Sequence, residues 1–118
     1  KVIGVFGEDK AVDFLHNQGF KIIERNFRCK TGEIDIVARD GKYIVFVEVK
    51  CRYFTSFGLP LESVTYRKRK KIIRTAQTFI LLRGLENSYF RFDVVDVMLN
   101  GNNDLYLIEL IKDAFWVT

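Results

Sequence analysis

Two runs of alternating residues, Glu33 to Arg39 (EIDIVAR) and Tyr43 to Lys50 (YIVFVEVK), are separated by Asp40-Gly41. An Asp-Gly pair between alternating runs is among the strongest short-range signals for a β-hairpin, because a tight turn needs residues that tolerate positive φ. The pair constrains more than the turn. With Asp40 and Gly41 as the two loop residues, Arg39 pairs with Lys42, Asp35 falls opposite Phe46, and Glu33 falls opposite Glu48. Strand side chains alternate with period two, and paired residues point the same way. The spacing therefore predicts that Glu33, Asp35, Glu48 and Lys50 share one face. Asp35 and Glu48 become diagonal neighbours, with backbones roughly 7–8 Å apart.

The remaining elements can be placed around this hairpin. A helix is predicted from about Val5 to Gln18, with an apolar stripe of Ala11, Val12, Phe14 and Leu15 and a C-cap glycine at Gly19. Glu8 falls on the inward side of that stripe, where a carboxylate needs a partner or a task. Phe20 to about Arg28 reads as extended. Cys51 to Val64 reads as a loop carrying Gly58 and Pro60, long enough to suggest function. Thr65 is an N-cap for a second helix to about Arg83, closed by Gly84, with Ile72, Ile73, Ala76, Phe79 and Ile80 as its buried stripe. Tyr89 to Leu99 is a strand, Asn100 to Asn103 a turn, and Leu105 to Ile111 a further strand before the apolar pair Phe115-Trp116. The order α-β-β-β-α-β-β over 118 residues predicts one α/β domain spanning 1–118. A mixed central sheet would be flanked by helices, with a right-handed crossover if the third and fourth strands are parallel.

Composition matters mainly through where the charge lies. The net charge is +4, a weak pointer to nucleic acid by itself. However, Arg67, Lys68, Arg69, Lys70, Lys71 and Arg74 crowd one short stretch. Two cysteines, Cys29 and Cys51, and a single His16 cannot build the usual zinc cage. The N-terminal stretch, broken by Gly4, Gly7, Glu8 and Asp9, does not read as a signal peptide. No apolar run approaches the roughly 20 residues needed to span a bilayer. The expectation is a reduced, cytoplasmic protein with no membrane partner.

Carboxylates brought close on a sheet face repel unless a cation sits among them. Mg²⁺ prefers oxygen ligands and takes one or two carboxylates together with waters and phosphate oxygens. Lys50 adds a cation that can stabilise charge developing on a phosphate, or orient an attacking water. Asp35, Glu48 and Lys50, with Glu8 as a further ligand, are thus the parts for metal-assisted phosphodiester hydrolysis. A bland reading stands beside this one, since Glu-x-Lys on a strand also occurs as a solvated ion pair of little energetic weight. The basic stretch likewise has two readings: the solvated face of an amphipathic helix, or a phosphate-contact surface with salt-sensitive binding. Tyr53, Phe54, Phe57 and Tyr66 flank it and could stack bases or simply pack. Asp93 and Asp96 read as partners for a nearby Arg or Lys, and His16 as a surface or helix C-terminal histidine.

Gly7-Glu8, Asn26-Phe27-Arg28, Gly32 to Ala38 (GEIDIVA), Val45 to Arg52 (VFVEVKCR), Phe57-Gly58, Pro60 and Arg91 to Val95 (RFDVV) together resemble the bacterial YraN-type family. The resemblance runs over nearly the whole chain in the same order. It implies the PD-(D/E)XK, restriction-endonuclease-like fold. The core is also similar to archaeal Holliday junction resolvases, with an acidic residue on the first helix, an Asp on one strand and Glu-Val-Lys on the next. That similarity points to Glu8, Asp35, Glu48 and Lys50 as catalytic residues, with Asp35, Glu48 and Glu8 holding Mg²⁺ or Mn²⁺. Ile34 stands where the superfamily's motif has Pro, a residue that many members also lack. The implied activity is endonucleolytic cleavage of nucleic acid, DNA (branched DNA included) in preference to RNA. Arg52, Arg67, Lys68, Lys70 and Lys71 are the expected nucleic-acid contacts, and a homodimer is implied by the way such resolvases act. The alternative is a nucleic-acid-binding protein that keeps the fold without cutting.

Overall fold

The computed structural model describes residues 2–53, 65–102 and 104–116. Helix α1 (Val2–Asn17) is followed by strands β1 (Lys21–Cys29), β2 (Gly32–Asp40) and β3 (Tyr43–Tyr53), helix α2 (Tyr66–Arg83), and strands β4 (Tyr89–Leu99) and β5 (Leu105–Phe115). This is the predicted α-β-β-β-α-β-β order. Of the expected loop over Cys51 to Val64, the first three residues extend β3. The rest, including Phe54, Phe57, Gly58 and Pro60, lies outside the described residues, as does Asn103 of the expected turn.

Both helices stop by the same local chemistry. Gly19 and Gly84 take positive φ, +93° and +67°. At each end the glycine N–H and the following N–H turn back onto the last helical turn. Gly19 donates to the His16 carbonyl and Phe20 to that of Leu15; Gly84 donates to Leu81 and Leu85 to Ile80. This is the Schellman arrangement, in which an apolar contact closes over the cap. Phe20 and Leu15 share one core, while Ile80 and Leu85 pack on the other. At the start of α2 the Thr65 hydroxyl accepts from the Lys68 N–H at 3.2 Å, as predicted for an N-cap.

The strands form one sheet in the order β1-β2-β3-β4-β5. Its pairs are antiparallel except for β3 and β4, which run parallel and are joined through α2. The two central strands are not half-buried alternating strands. Ile44 and Phe46 enter the core under α2, with Ile72, Ala76 and Phe79, while Val45 and Val47 enter the core under α1, with Ala11 and Leu15. Strands covered on both faces carry near-continuous apolar runs, and Phe92 to Leu99 of β4 is buried throughout. The result is the α/β architecture expected, a mixed sheet between helices. No helix among the described residues is long and apolar enough to cross a membrane.

The hairpin register differs from the one predicted. Asp40 pairs with Tyr43 and Val37 with Phe46, so the turn is Gly41-Lys42, with Gly41 at φ +59°. Asp40 is held within β2 by Arg91 at 2.8 Å and by Lys112 at 3.6 Å, both from distant strands. The shift is two residues, an even number, so the faces of both strands are preserved. Asp35 consequently comes level with Glu48 rather than Phe46.

Candidate active site

The register places Asp35 just beyond the end of the β2–β3 ladder, whose last pair is Ile36 with Val47. In place of a ladder bond, the Val49 N–H donates to the Asp35 carboxylate at 2.7 Å. Strict period-two alternation breaks at this point. Ile36 belongs to the core under α1, whereas Ile34, two residues away, belongs to the core under α2. β1 turns over at the same level. Arg25 reaches toward α1 at Asp9, Asn26 sits at φ +55°, and Phe27 stacks edge-on against Phe79 of α2 at 5.1 Å. A left-handed residue within a paired strand is a device for local twist. Asp35 therefore stands where the sheet exchanges faces and splays, within reach of both helices.

Each helix delivers a charge to that point. Gly7 lets α1 lie against β3: a Cβ there would meet the Cβ and Sγ of Cys51 at 2.8 Å. The close approach brings the next residue, Glu8, to Asp35. Carboxylate oxygens of Glu8, Glu33 and Asp35 lie within 4.8 Å of one another. Glu48, buried in β3, faces α2, where Lys68 Nζ meets its carboxylate at 2.5 Å. A cleft of about 220 Å³ is lined by Gly32, Glu33, Asp35, Glu48, Lys68 and Lys71.

Lys68 offsets the charge of Glu48, but no ion pair to Asp35 is present among the described residues. Burial, first, and then the charges of Glu48 and Glu8 push the Asp35 carboxyl up from 3.8 to about 7, against the stabilising Val49 N–H. Two further cations stand on the Glu8 and Glu33 side. Arg25 approaches Glu8 at 3.7 Å and Arg28 approaches Glu33 at 3.5 Å. Convergent carboxylates with no thiol or imidazole among them make a hard oxygen donor set. Such a set suits Mg²⁺ or Mn²⁺ rather than zinc, and the residues present fit that group.

The other predicted residues divide by position. Asp35 is brought to Glu8 on one side and to Glu48 on the other, and Lys68 joins Asp35 and Glu48 in lining the cleft. Lys50 follows Glu48 on the same strand face and lies level with Asp96 in β4. It is half-buried and makes no ion pair among the described residues. Arg52 grips Asp96 through two bonds of 3.2 and 3.1 Å. Asp93 takes two bonds from Arg91, both 2.9 Å, and the Asp113 N–H; both aspartates are thus the ion-pair partners anticipated. His16 is exposed in the last turn of α1, and both cysteines are free thiols. Lys71 lines the cleft, whereas Arg67 and Lys70 lie on the outer side of α2. The sequence reading puts Glu33 on the same face as Asp35 but not among the candidate ligands, whereas its carboxylate lies beside those of Glu8 and Asp35; its Glu-x-Asp spacing with Asp35 is the available signal.

The family model described as Uncharacterised protein family UPF0102 matches residues 7–97, a stretch that includes every residue of the cleft. A UPF0102 protein of Clostridium botulinum strain Hall is 53% identical over 118 residues, covering 99% of this chain and 96% of its own length. One from Clostridium kluyveri is 50% identical over 117 residues, with the same coverage. The chain belongs to the UPF0102 family.

Proposed function

We propose that this protein is a Mg²⁺- or Mn²⁺-dependent endonuclease that hydrolyses phosphodiester bonds of nucleic acid, DNA (branched DNA included) in preference to RNA. The observation that carries the reading is the meeting at Asp35 of Glu8 and Glu33 on one side and Glu48 on the other, at the splayed end of the hairpin beside lysines of α2. Asp35, with Glu48 and Glu8, would hold the ion, and Glu33 widens the donor set. When bound, the ion polarises the phosphodiester and lowers the pKa of the attacking water. Lys71 and Lys68 at the cleft wall hold the non-bridging phosphate oxygens, and Lys68 leaves Glu48 as it does so. The Lys50 ammonium, unclaimed by any carboxylate among the described residues, stabilises charge building on the phosphate or orients the water.

One observation favours a second reading. The Lys68 ammonium on Glu48 neutralises that carboxylate without any ion, as a non-catalytic nucleic-acid-binding protein would arrange it. Lys50→Ala separates the two. The wild type and this variant are compared on single-stranded, duplex, flapped and four-way-junction DNA and structured RNA, with Mg²⁺ or Mn²⁺. The nuclease reading expects metal-dependent cutting by the wild type that the variant loses while binding changes little. Binding without cutting by either protein would leave the second reading.

A further inference from the structure

The cationic stretch of α2 has two sides. Lys68 and Lys71 look into the carboxylate cleft. Tyr66, Lys70 and Arg74 line the outer surface beyond Lys71, and the same three residues form one wall of a cavity of about 440 Å³ against the end of β5. The cleft adjoins the outer surface at Lys71, and the outer surface adjoins the cavity at Tyr66, Lys70 and Arg74, so the three lie side by side across the N-terminal half of the helix.

The far wall of the cavity is Phe115 and Trp116. Their placement is built into the sheet. The β4–β5 register shifts between Phe92 and Val94, Asp113 takes φ +54°, and its N–H is captured by Asp93 at 2.9 Å. A bulge of this kind re-aims the side chains beyond it. Phe115 is then pinned on Phe92, rings 5.0 Å apart, and Trp116 is left 65% exposed at the cavity.

Much of the charge in this region has no carboxylate partner among the described residues. Arg25, Arg28, Arg83 and Arg91 each meet a carboxylate. Among the described residues, the side chains of Arg67, Arg69, Lys70, Lys71 and Arg74 meet none, and Arg69 Nε is buried without any acceptor. A buried guanidinium nitrogen without a partner calls for an explanation. Cations interleaved with exposed aromatic rings are the combination that holds single-stranded nucleic acid, phosphates on the charges and bases on the rings. An acidic peptide would use the charges but would leave Trp116 and Tyr66 without a role.

We infer that the cavity between α2 and the end of β5 is a second nucleic-acid site, which takes an unpaired stretch of strand with a base stacked on Trp116 and phosphates on Arg69 and Arg74. The inference rests on the nuclease reading only for its premise that the same strand continues across α2 into the carboxylate cleft. Binding can be read separately from cutting. Trp116 is the single tryptophan of the chain, so its fluorescence reports the site directly. In EDTA, oligothymidylate should quench it, while an abasic oligomer of equal length should not. Trp116→Ala should weaken binding of labelled oligothymidylate about fivefold or more and leave blunt-duplex affinity unchanged, with Trp116→Phe restoring most of the loss. Arg69→Ala with Arg74→Ala should weaken oligothymidylate binding further. Equal affinity for the abasic oligomer or for polyglutamate, or an unchanged affinity in Trp116→Ala, would overturn the site. Quenching by a protein that never cuts would sink the nuclease reading alone; cutting without quenching would sink this inference alone.

Discussion

Between pH 3.8 and about 7, the metal-free fold keeps a proton on Asp35 that the unfolded chain has lost. A group whose folded pKa is raised in this way makes stability fall as pH rises through that window, because the native state binds more protons than the unfolded one. Asp35→Asn removes the effect. In EDTA the variant should be more stable than the wild type at pH 8, by up to about 4 kcal/mol, and close to it near pH 4, as read from denaturant melts at the two pH values. Gly7 offers a second test at this scale. Gly7→Ala gains up to about 1 kcal/mol of helix propensity, but its Cβ collides with Cys51, and overpacking costs about 1–3 kcal/mol. Net destabilisation is expected, with weaker Mn²⁺ binding because Glu8 moves away from Asp35. Asp35, Glu48 and Glu8 could be named from the sequence because each puts a carboxylate on an inward face. The role of Gly7 could not, since it depends on which strand α1 lies against.

At the level of the element, α2 is the most legible part of the chain. Its cap residues, length and most of its buried stripe are local properties; of the expected stripe Ile72, Ala76 and Phe79 are buried, Ile73 and Ile80 are only half-buried, and the buried Thr75 was unanticipated. The first turn, however, works against the helix dipole. Arg67, Lys68 and Arg69 sit at the positive end with no acidic residue among them. Arg67→Glu should therefore stabilise the protein, by about 0.3–1 kcal/mol at low salt, while weakening nucleic-acid binding. Melts and fluorescence anisotropy on the same variant check these opposite signs. The hairpin shows the converse. Asp-Gly marked its position correctly, but the register was set by Arg91 and Lys112 pulling Asp40 into the strand, and contacts so distant in sequence leave no local signature. β5 ran past Ile111 to Phe115 for a similar reason, its bulge being held by Asp93 of β4.

Over the whole molecule, element order predicted the layered α/β fold, because each strand and helix carries its own period. The sheet's exchange of faces at Asn26 and Asp35 was not legible, since a twist is a property of paired strands and not of either run alone. That twist is what lets α1 and α2, on opposite faces, supply one site: Glu8 from one side, Lys68 and Lys71 from the other. If the cationic side of α2 holds phosphates, the slope of log affinity against log salt should fall by roughly 0.7–0.9 for each of Arg67, Lys70 and Lys71 changed to Ala. The measurement that bears most directly on the account is a Mn²⁺ titration of the wild type and Asp35→Asn at pH 8, followed by calorimetry and by melting temperature. Saturable binding should stabilise the wild type and be lost in Asp35→Asn, even though that variant is the more stable protein in EDTA. No saturable binding, or the same binding in both proteins, would contradict the claim that these carboxylates are assembled to hold a divalent ion.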